Sequence, residues 1–362
     1  MPGTHRIATI PGDGIGAEVV PQAIRVLDRL AELGGFTLAW EPFDWSCARY
    51  EREGAMMPSD GLDQLRGFDA IFLGAVGRPG VPDHVSLWGL LIPIRRTFDQ
   101  YVNLRPIRLF DGVRSPLDRS GFAGLDLVVV RENSEGEYSQ VGGRMFAGSP
   151  EEMAIQESVF TRRGVERVIR YAFEVARTRR GHVTSATKSN GIVHTMPFWD
   201  EVFAQVSAEH PDVTADQEHI DALSAKLVLA PSAFDVIVGS NLFGDILSDL
   251  AAGVAGSIGI APSANLNPEG AHPSMFEPVH GSAPDIAGRG IANPLGQLWS
   301  GAMMLDHLGH PLSAAALVTA IEATLADGSA LTADLGGEAT TEQATDAVLA
   351  HIDATQRIGQ PS

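Results

Sequence analysis

Arg6-Ile7-Ala8-Thr9-Ile10-Pro11-Gly12-Asp13-Gly14-Ile15-Gly16 sets a short apolar run directly before a glycine-rich turn, and the pattern that follows predicts a helix from about Ala17 to Leu33. A strand, a glycine turn and a helix in that order suggest a dinucleotide-binding unit. The fingerprint of that unit is not met: position 17 is Ala, and no acidic residue closes a clear second strand. On its own a glycine-rich turn is more often structural. This stretch therefore argues for an α/β protein but not for a Rossmann fold.

The rest of the chain extends that reading. Phe36–Glu41 predicts a second strand. Phe68–Leu73, Leu125–Val130 and Val236–Gly239 are compact apolar runs, interrupted only near their starts by Asp69 and Asp126. Helical periodicity separates them, at Phe160–Arg177, Thr195–Val206 and Ser313–Leu325. Such apolar strands between helices predict mixed or parallel sheets covered on both faces. Thr340-Thr341-Glu342-Gln343 reads as a capping box opening a last helix that runs to about Ile352, with a frayed tail from Asp353. Gly142–Phe146 and Met153–Val159 read as a hairpin turning at Gly148–Glu151, of the kind that pairs with a neighbouring subunit.

Composition narrows the function. The chain has 362 residues, 44% hydrophobic and 20% charged, long enough for two domains with a sizeable core. With 26 Lys+Arg against 45 Asp+Glu the formal charge is −19, which argues against nucleic acid or an anionic membrane as partner. The single Cys47 makes neither a disulfide nor a thiolate metal site alone. No targeting segment and no apolar run of about 18 residues is seen, so the expected location is the cytoplasm. Lys188 and Lys226 are the only lysines. Arginine cannot give up its proton and lysine can, so a lysine kept against this bias invites the question of base chemistry.

Two groups of residues suggest a site. Asp245 and Asp249 would share one helix face, and two like charges there need a counter-cation or full solvation. Oxygen ligands suit Mg²⁺ or Mn²⁺, with Asp221 a candidate third; an exposed acidic pair at a helix start explains the spacing equally well. Arg95, Arg105 and Arg131, the last following an apolar strand, could together grip carboxylates. His307 and His310 lack the partners of a zinc site and suit the surface.

Taken together, six motifs make the chain recognisable. They are Ile10–Gly16, Asn103-Leu104-Arg105-Pro106, Arg131-Glu132-Asn133-Ser134-Glu135-Gly136-Glu137-Tyr138, Thr187-Lys188-Ser189-Asn190, Asn241–Asp249 and Glu277–Asp285, in this order. The chain resembles the β-decarboxylating dehydrogenases (isocitrate, 3-isopropylmalate, homoisocitrate and tartrate/D-malate dehydrogenases) over nearly its whole length. The resemblance implies an isopropylmalate dehydrogenase-like two-domain fold that is not Rossmann. One domain, of residues 1–102 and 257–362, would bind the cofactor. The other, 103–256, would carry metal, substrate and dimer contacts, including an arm at 139–160. It further implies a homodimer whose active sites lie between domains and are shared between subunits.

By resemblance, Arg95, Arg105 and Arg131 hold a small dicarboxylate substrate. Asp245 and Asp249 bind Mg²⁺ or Mn²⁺ with Asp221 of the other subunit, Lys188 of the other subunit is the base for the substrate hydroxyl, and Tyr138 protonates the enol. Lys226 has no role there. Glu277, His280, Gly281, Ser282, Ala283, Asp285, Ile286, Asn293 and Asn190 would contact the cofactor. Asp285 implies NAD, because NADP-preferring isocitrate dehydrogenases have a Lys-Tyr pair in place of Asp285-Ile286. K⁺ activation stays open.

Substrate choice is expected just before Arg95. A helix over Val85–Arg95 would put Trp88, Leu91, Ile92 and Arg95 on one face, although Pro93 should bend it. Trp88 stands where isopropylmalate enzymes have Glu, and a bulky indole should shrink the pocket; plain core packing is its other reading. His84–Gly89 and Phe98–Val102 are similar to tartrate/D-malate dehydrogenases. The expectation is NAD-dependent oxidative decarboxylation of D-malate or tartrate. The alternatives are 3-isopropylmalate, a pathway-specific malate analogue, or a non-catalytic regulatory subunit.

Overall fold

The computed structural model describes residues 3–117 and 124–358. In chain order its strands are β1 (Thr4–Gly12), β2 (Thr37–Pro42), β3 (Ala70–Ala75), β4 (Val102–Arg108), β5 (Asp126–Glu132), β6 (Gly142–Met145), β7 (Met153–Gln156), β8 (His182–Thr187), β9 (Thr214–His219), β10 (Val236–Gly239), β11 (Pro262–Leu266) and β12 (Ser274–Pro278). The chain divides into two compact units. The first holds Met1–Gln100, Leu109–Pro116 and Ala252–Ser362; the second holds Tyr101–Arg108 and Leu117–Ala251. Leu109–Pro116 goes with the first because Phe110 packs edge-on against Trp299 and the Ser115 hydroxyl donates to the Val254 carbonyl (2.7 Å).

In the first unit the strand order is β2-β1-β3-β12-β11, parallel except for β11. β3 lies between two neighbours and every one of its residues is buried, which is why Ala70–Leu73 reads as an unbroken apolar run. Helices Gly16–Gly34, Leu295–His307, Pro311–Asp327 and Thr341–Ile358 pack around this sheet and one another. The capping box closes as expected: the Gln343 side chain accepts from the Thr340 N–H (2.9 Å), and the Thr340 hydroxyl accepts from the Gln343 N–H (3.2 Å). The expected fraying from Asp353 is corrected. The helix runs on to Ile358, because the Asp353 carboxylate accepts from Arg29 Nε at 2.9 Å. The tail beyond residue 358 lies outside the described residues.

The glycine-rich turn does structural work. Gly14 has φ +56°, and a Cβ there would lie 2.0 Å from the Ser282 carbonyl oxygen. The next residue, Ile15, donates its N–H to that oxygen (2.9 Å). Only glycine lets the turn dock onto the 277–285 loop this closely.

The second unit repeats the arrangement with β4-β5-β10-β8-β9, where β5, β10, β8 and β9 are parallel and β4 is antiparallel to β5. Helices Arg162–Arg177, Thr195–Glu209, Ile220–Leu229 and Asn241–Val254 accompany it. β6 and β7 pair antiparallel as a separate hairpin, as the sequence predicts. In each unit the strands are mixed, and neither unit has the Rossmann order. Among the described residues no helix is long and apolar enough to cross a membrane.

Candidate active site

Parallel strands that end side by side bring together residues far apart in sequence. Arg131, near the end of β5, is flanked in register by Gly239 of β10 and Asn103 of β4. Helix Asn241–Val254 begins two residues after β10. Its Asn241 side-chain oxygen accepts from Arg131 Nη2 (2.7 Å) and Nε (3.2 Å), and one turn on Asp245 closes an ion pair with Nη1. Position 244 must be glycine, because a Cβ there would lie 2.6 Å from the Arg131 Cβ. Arg105 of β4 reaches the same helix. Its Nη1 touches Ser248 Oγ (2.7 Å), Asp249 Oδ1 (3.1 Å) and Asp245 Oδ1 (3.2 Å), while Nε donates to Asn103 Oδ1 (2.7 Å). The Tyr138 hydroxyl donates to Asp245 Oδ2 at 3.2 Å.

Asp245 and Asp249 thus share one helix face, and Arg105 and Arg131 are their counter-cations. Both guanidiniums are buried, so their pairs are far less screened than surface ones. Burial holds the Asp249 carboxyl above the ordinary aspartate range, with Asp245 adding to the rise and Arg105 and Arg131 opposing it.

Lys188 and Asp221 form a second centre. β8 and β9 end together, Thr187 opposite His219, so the residues just beyond them meet: Lys188 Nζ lies 2.7 Å from Asp221 Oδ1. This bond holds the exposed Asp221 carboxyl below the usual range. Among the described residues no three His, Cys, Asp or Glu side chains could hold a metal, so Asp221 does not join Asp245 and Asp249 within one chain. Asn190 is exposed in the turn after Lys188.

The remaining predicted residues lie in the first unit. Arg95 is buried, with Nη2 on Glu277 Oε1 (2.9 Å), an oxygen that also accepts from Asn265 (2.7 Å). The one-face arrangement expected before Arg95 is corrected. Leu87–Leu91 forms a π-turn in which the Ile92 N–H donates to the Leu87 carbonyl, followed by helix Ile92–Thr97 with Pro93 in its first turn. Proline has no N–H to offer there, and the widened turn shifts the hydrogen-bond register before Arg95. Ile92 is buried, Leu91 packs partly against the core, and Trp88 is half-buried with the Arg96 guanidinium 5.1 Å from its ring.

A largely apolar cavity of about 380 Å³ is lined by Ile15, Ile258, Ala283, Ile286 and Ile291. His280, Asn293, Asp334 and Ser257 are among its polar members. Burial holds the His280 imidazole below its usual pKa, and its buried Nε2 has no partner. Asp334 accepts from Ser257 (2.7 Å) and Asn293 (2.9 Å). Gly281, Ser282 and Asp285 belong to the same 277–285 loop but not to this wall, and the Glu277 carboxylate is taken up by Arg95 and Asn265.

Comparison with known proteins gives the family. Residues 6–348 match the isocitrate/isopropylmalate dehydrogenase family model. The chain belongs to the isocitrate/isopropylmalate dehydrogenase family. A probable tartrate dehydrogenase/decarboxylase of Bacillus subtilis (strain 168) is 55% identical, over 96% of this chain and 97% of the relative. The D-malate dehydrogenase [decarboxylating] of Escherichia coli (strain K12) is 56% identical over 95% and 98%. The tartrate dehydrogenase/decarboxylase of Pseudomonas putida is 54% identical over 97% and 99%. The crystal structure of isocitrate dehydrogenase from Methylococcus capsulatus superposes with a TM-score of 0.87 at 36% identity, covering 96% of this chain and 99% of that one. As a member of this family the protein is an oxidoreductase of the CH–OH group, a decarboxylating dehydrogenase. Dehydrogenases of the family generally use a nicotinamide cofactor and a divalent metal, and act on small molecules.

The residues present suit both groups. Asp245 and Asp249 offer hard carboxylate oxygens from one helix face, as Mg²⁺ or Mn²⁺ requires. The apolar cavity, with the unpartnered His280 Nε2 in its wall, suits an adenine ring. Sequence reading missed Asn241, Ser248 and Asn103, which orient the two arginines, and Asp334, which braces the cavity. Asn241 could have been suspected, since a helix-opening Asn just before Gly244 follows an apolar strand. Asp334 has no comparable local signal.

Proposed function

We propose that the enzyme oxidises and decarboxylates a small 2-hydroxy diacid, D-malate or tartrate, with NAD and Mg²⁺ or Mn²⁺. The observation that carries this reading is the cluster of Arg105, Arg131, Asp245 and Asp249. Two cations and two anions cancel, so a dication and a dicarboxylate can enter together with no net change of charge. Asp245 and Asp249 would hold the divalent ion, with Asp221 of a second copy; Arg105, Arg131 and Arg95 would hold the substrate carboxylates. When bound, the ion would lower the pKa of the 2-hydroxyl and stabilise negative charge on its oxygen, and NAD would be the hydride acceptor. Lys188 of the second copy, the base, would take the hydroxyl proton, and the Tyr138 hydroxyl, already on Asp245, would supply one to the enol carbon.

Preference for NAD rests on Asp285, whose carboxylate would repel a ribose 2′-phosphate. Preference for a small diacid rests on Trp88, half-buried beside Arg96, while Ile92 is buried and Leu91 only partly so. Relatives named for tartrate and D-malate support the same choice.

The test is NADH formation with Mn²⁺ and NAD against D-malate, L-malate, the tartrates, 3-isopropylmalate and isocitrate. D-malate or a tartrate should give the highest kcat/KM. A higher value with 3-isopropylmalate would leave the reaction type standing and refute the role given to Trp88.

A further inference from the structure

Residues 131–138 carry three glutamates, and each holds something different. Glu132 folds onto its own turn, accepting from the Ser134 and Glu135 N–H groups. Glu135 grips the start of helix Arg162–Arg177, accepting from the Thr161 N–H (2.8 Å) and hydroxyl (2.9 Å). Glu137 reaches the start of helix Asn241–Val254: Oε1 accepts from the Ser240 hydroxyl (2.7 Å) and Oε2 from the Leu242 N–H (3.1 Å).

We propose that Glu137 is a positioning residue, which holds the aspartate-bearing helix in register with Arg131 and Tyr138. The inference rests on the assignment of Asp245 and Asp249 to the divalent ion. A helix start exposes unpaired N–H groups and a partial positive charge. This helix has no acidic residue in its first turn, and its own side-chain cap is long, the Phe243 N–H lying 3.4 Å from Ser240 Oγ. Glu137 supplies the missing anion from another element. Asn241 adds a second tie, its amide donating to the Glu135 carbonyl (3.2 Å) while its oxygen accepts from Arg131.

The placement has a consequence for the chemistry. Glu137 precedes Tyr138 in the chain and caps the helix that presents Asp245 one turn later. One carboxylate therefore governs both ends of the contact between the Tyr138 hydroxyl and Asp245 Oδ2 (3.2 Å). Without it the first helical turn loses its acceptor, and Asp245 and Tyr138 drift apart together. A purely structural role would lower stability alone and leave the ion's affinity untouched.

The test compares the full-length wild type with Glu137→Ala and Glu137→Gln. Mn²⁺ binding is followed by the resonance signal of the free ion, without NAD or substrate, and backbone exchange by hydrogen–deuterium mass spectrometry. Glu137→Ala should bind Mn²⁺ about tenfold more weakly, the size of effect a lost cap gives, and speed exchange over Leu242–Asp249. Glu137→Gln can still accept from the Leu242 N–H and donate to Ser240 Oγ, so it should fall between the two. Wild-type Mn²⁺ affinity in Glu137→Ala would overturn the proposal, whether exchange in that segment is unchanged or faster. If Glu137→Ala does not fold, the same comparison on Glu137→Gln decides it. A wild type that turns over no diacid counts against the proposed reaction alone, since the exchange comparison needs no turnover.

Discussion

At the scale of single residues the site depends on close approach. Gly244 leaves room for the Arg131 side chain, whose Cβ and Cγ would lie 2.6 and 2.7 Å from an added methyl group. Both neighbours are atoms near a buried backbone, so they cannot swing aside as the tip of an exposed side chain could. Gly244→Ala is therefore expected to push Arg131 off Asn241 and Asp245, and to lower kcat/KM about a hundredfold, as misplacement of a substrate-holding group does. Thermal melting should fall by only a few degrees, because the methyl is small and the helix tolerates alanine. Unchanged kcat/KM in a well-folded variant would remove Arg131 from the site. The buried Cys47 is chemically quiet by comparison, its thiol pushed up to about 12 chiefly by burial and a hydrogen bond to Asp13.

At the scale of elements, the end of β5 stores a pH dependence. Glu132 is fully buried, and burial pushes its carboxyl from 4.5 up to about 7, against the bonds from Ser134 and Glu135 that favour the charged form. The sign follows from linkage. Between these values the folded protein keeps a proton that the unfolded chain has released, so stability falls as pH rises through this window. Glu132→Gln removes the titration. The stability of the wild type relative to this variant should therefore decline from about pH 4.5 to about pH 7, by on the order of 3 kcal/mol in all, and stay level above it. Urea unfolding across that range measures it, and parallel curves for the two proteins would show that Glu132 does not titrate there. Elements were the most legible scale in the sequence. The apolar runs of β3, β5 and β10 and the Thr340 capping box are local patterns that the structure reproduces. The π-turn at Leu87–Leu91 was not legible, since it arises from a shift of hydrogen-bond register and not from any residue type that announces it.

At the scale of the whole molecule, the hairpin β6–β7 stands out. Val141 is 54% exposed, Met145 47%, Phe146 64% and Ile155 42%, on or next to two strands with no buried residue. A two-stranded ribbon with such a surface is marginal alone and invites a partner. We infer that it pairs with the hairpin of a second copy, the same copy that would bring Lys188 and Asp221 to Asp245 and Asp249. Phe146→Ser combined with Ile155→Ser is expected to shift the protein towards monomer in analytical ultracentrifugation and to reduce turnover in proportion. A monomeric variant with full activity would show that each chain completes its own site.

Residue types alone determined much of this protein. The order of apolar runs and helical patterns specifies mixed α/β architecture, because burial on both faces of a sheet leaves its mark in the central strands. The pairs Asp245/Asp249 and Arg105/Arg131, and a lysine kept at 188 in an arginine-rich chain, mark the chemistry, because only those groups carry the required charge and proton. Tertiary structure decided which of them meet. Asn241, Ser248 and Asn103 orient the arginines, Glu277 holds Arg95, Asp334 braces the cavity, and Lys188 finds Asp221 rather than Asp245. Those contacts join positions up to 182 apart in the chain. They depend on strand order and on where neighbouring strands end, and no local pattern in a sequence encodes either.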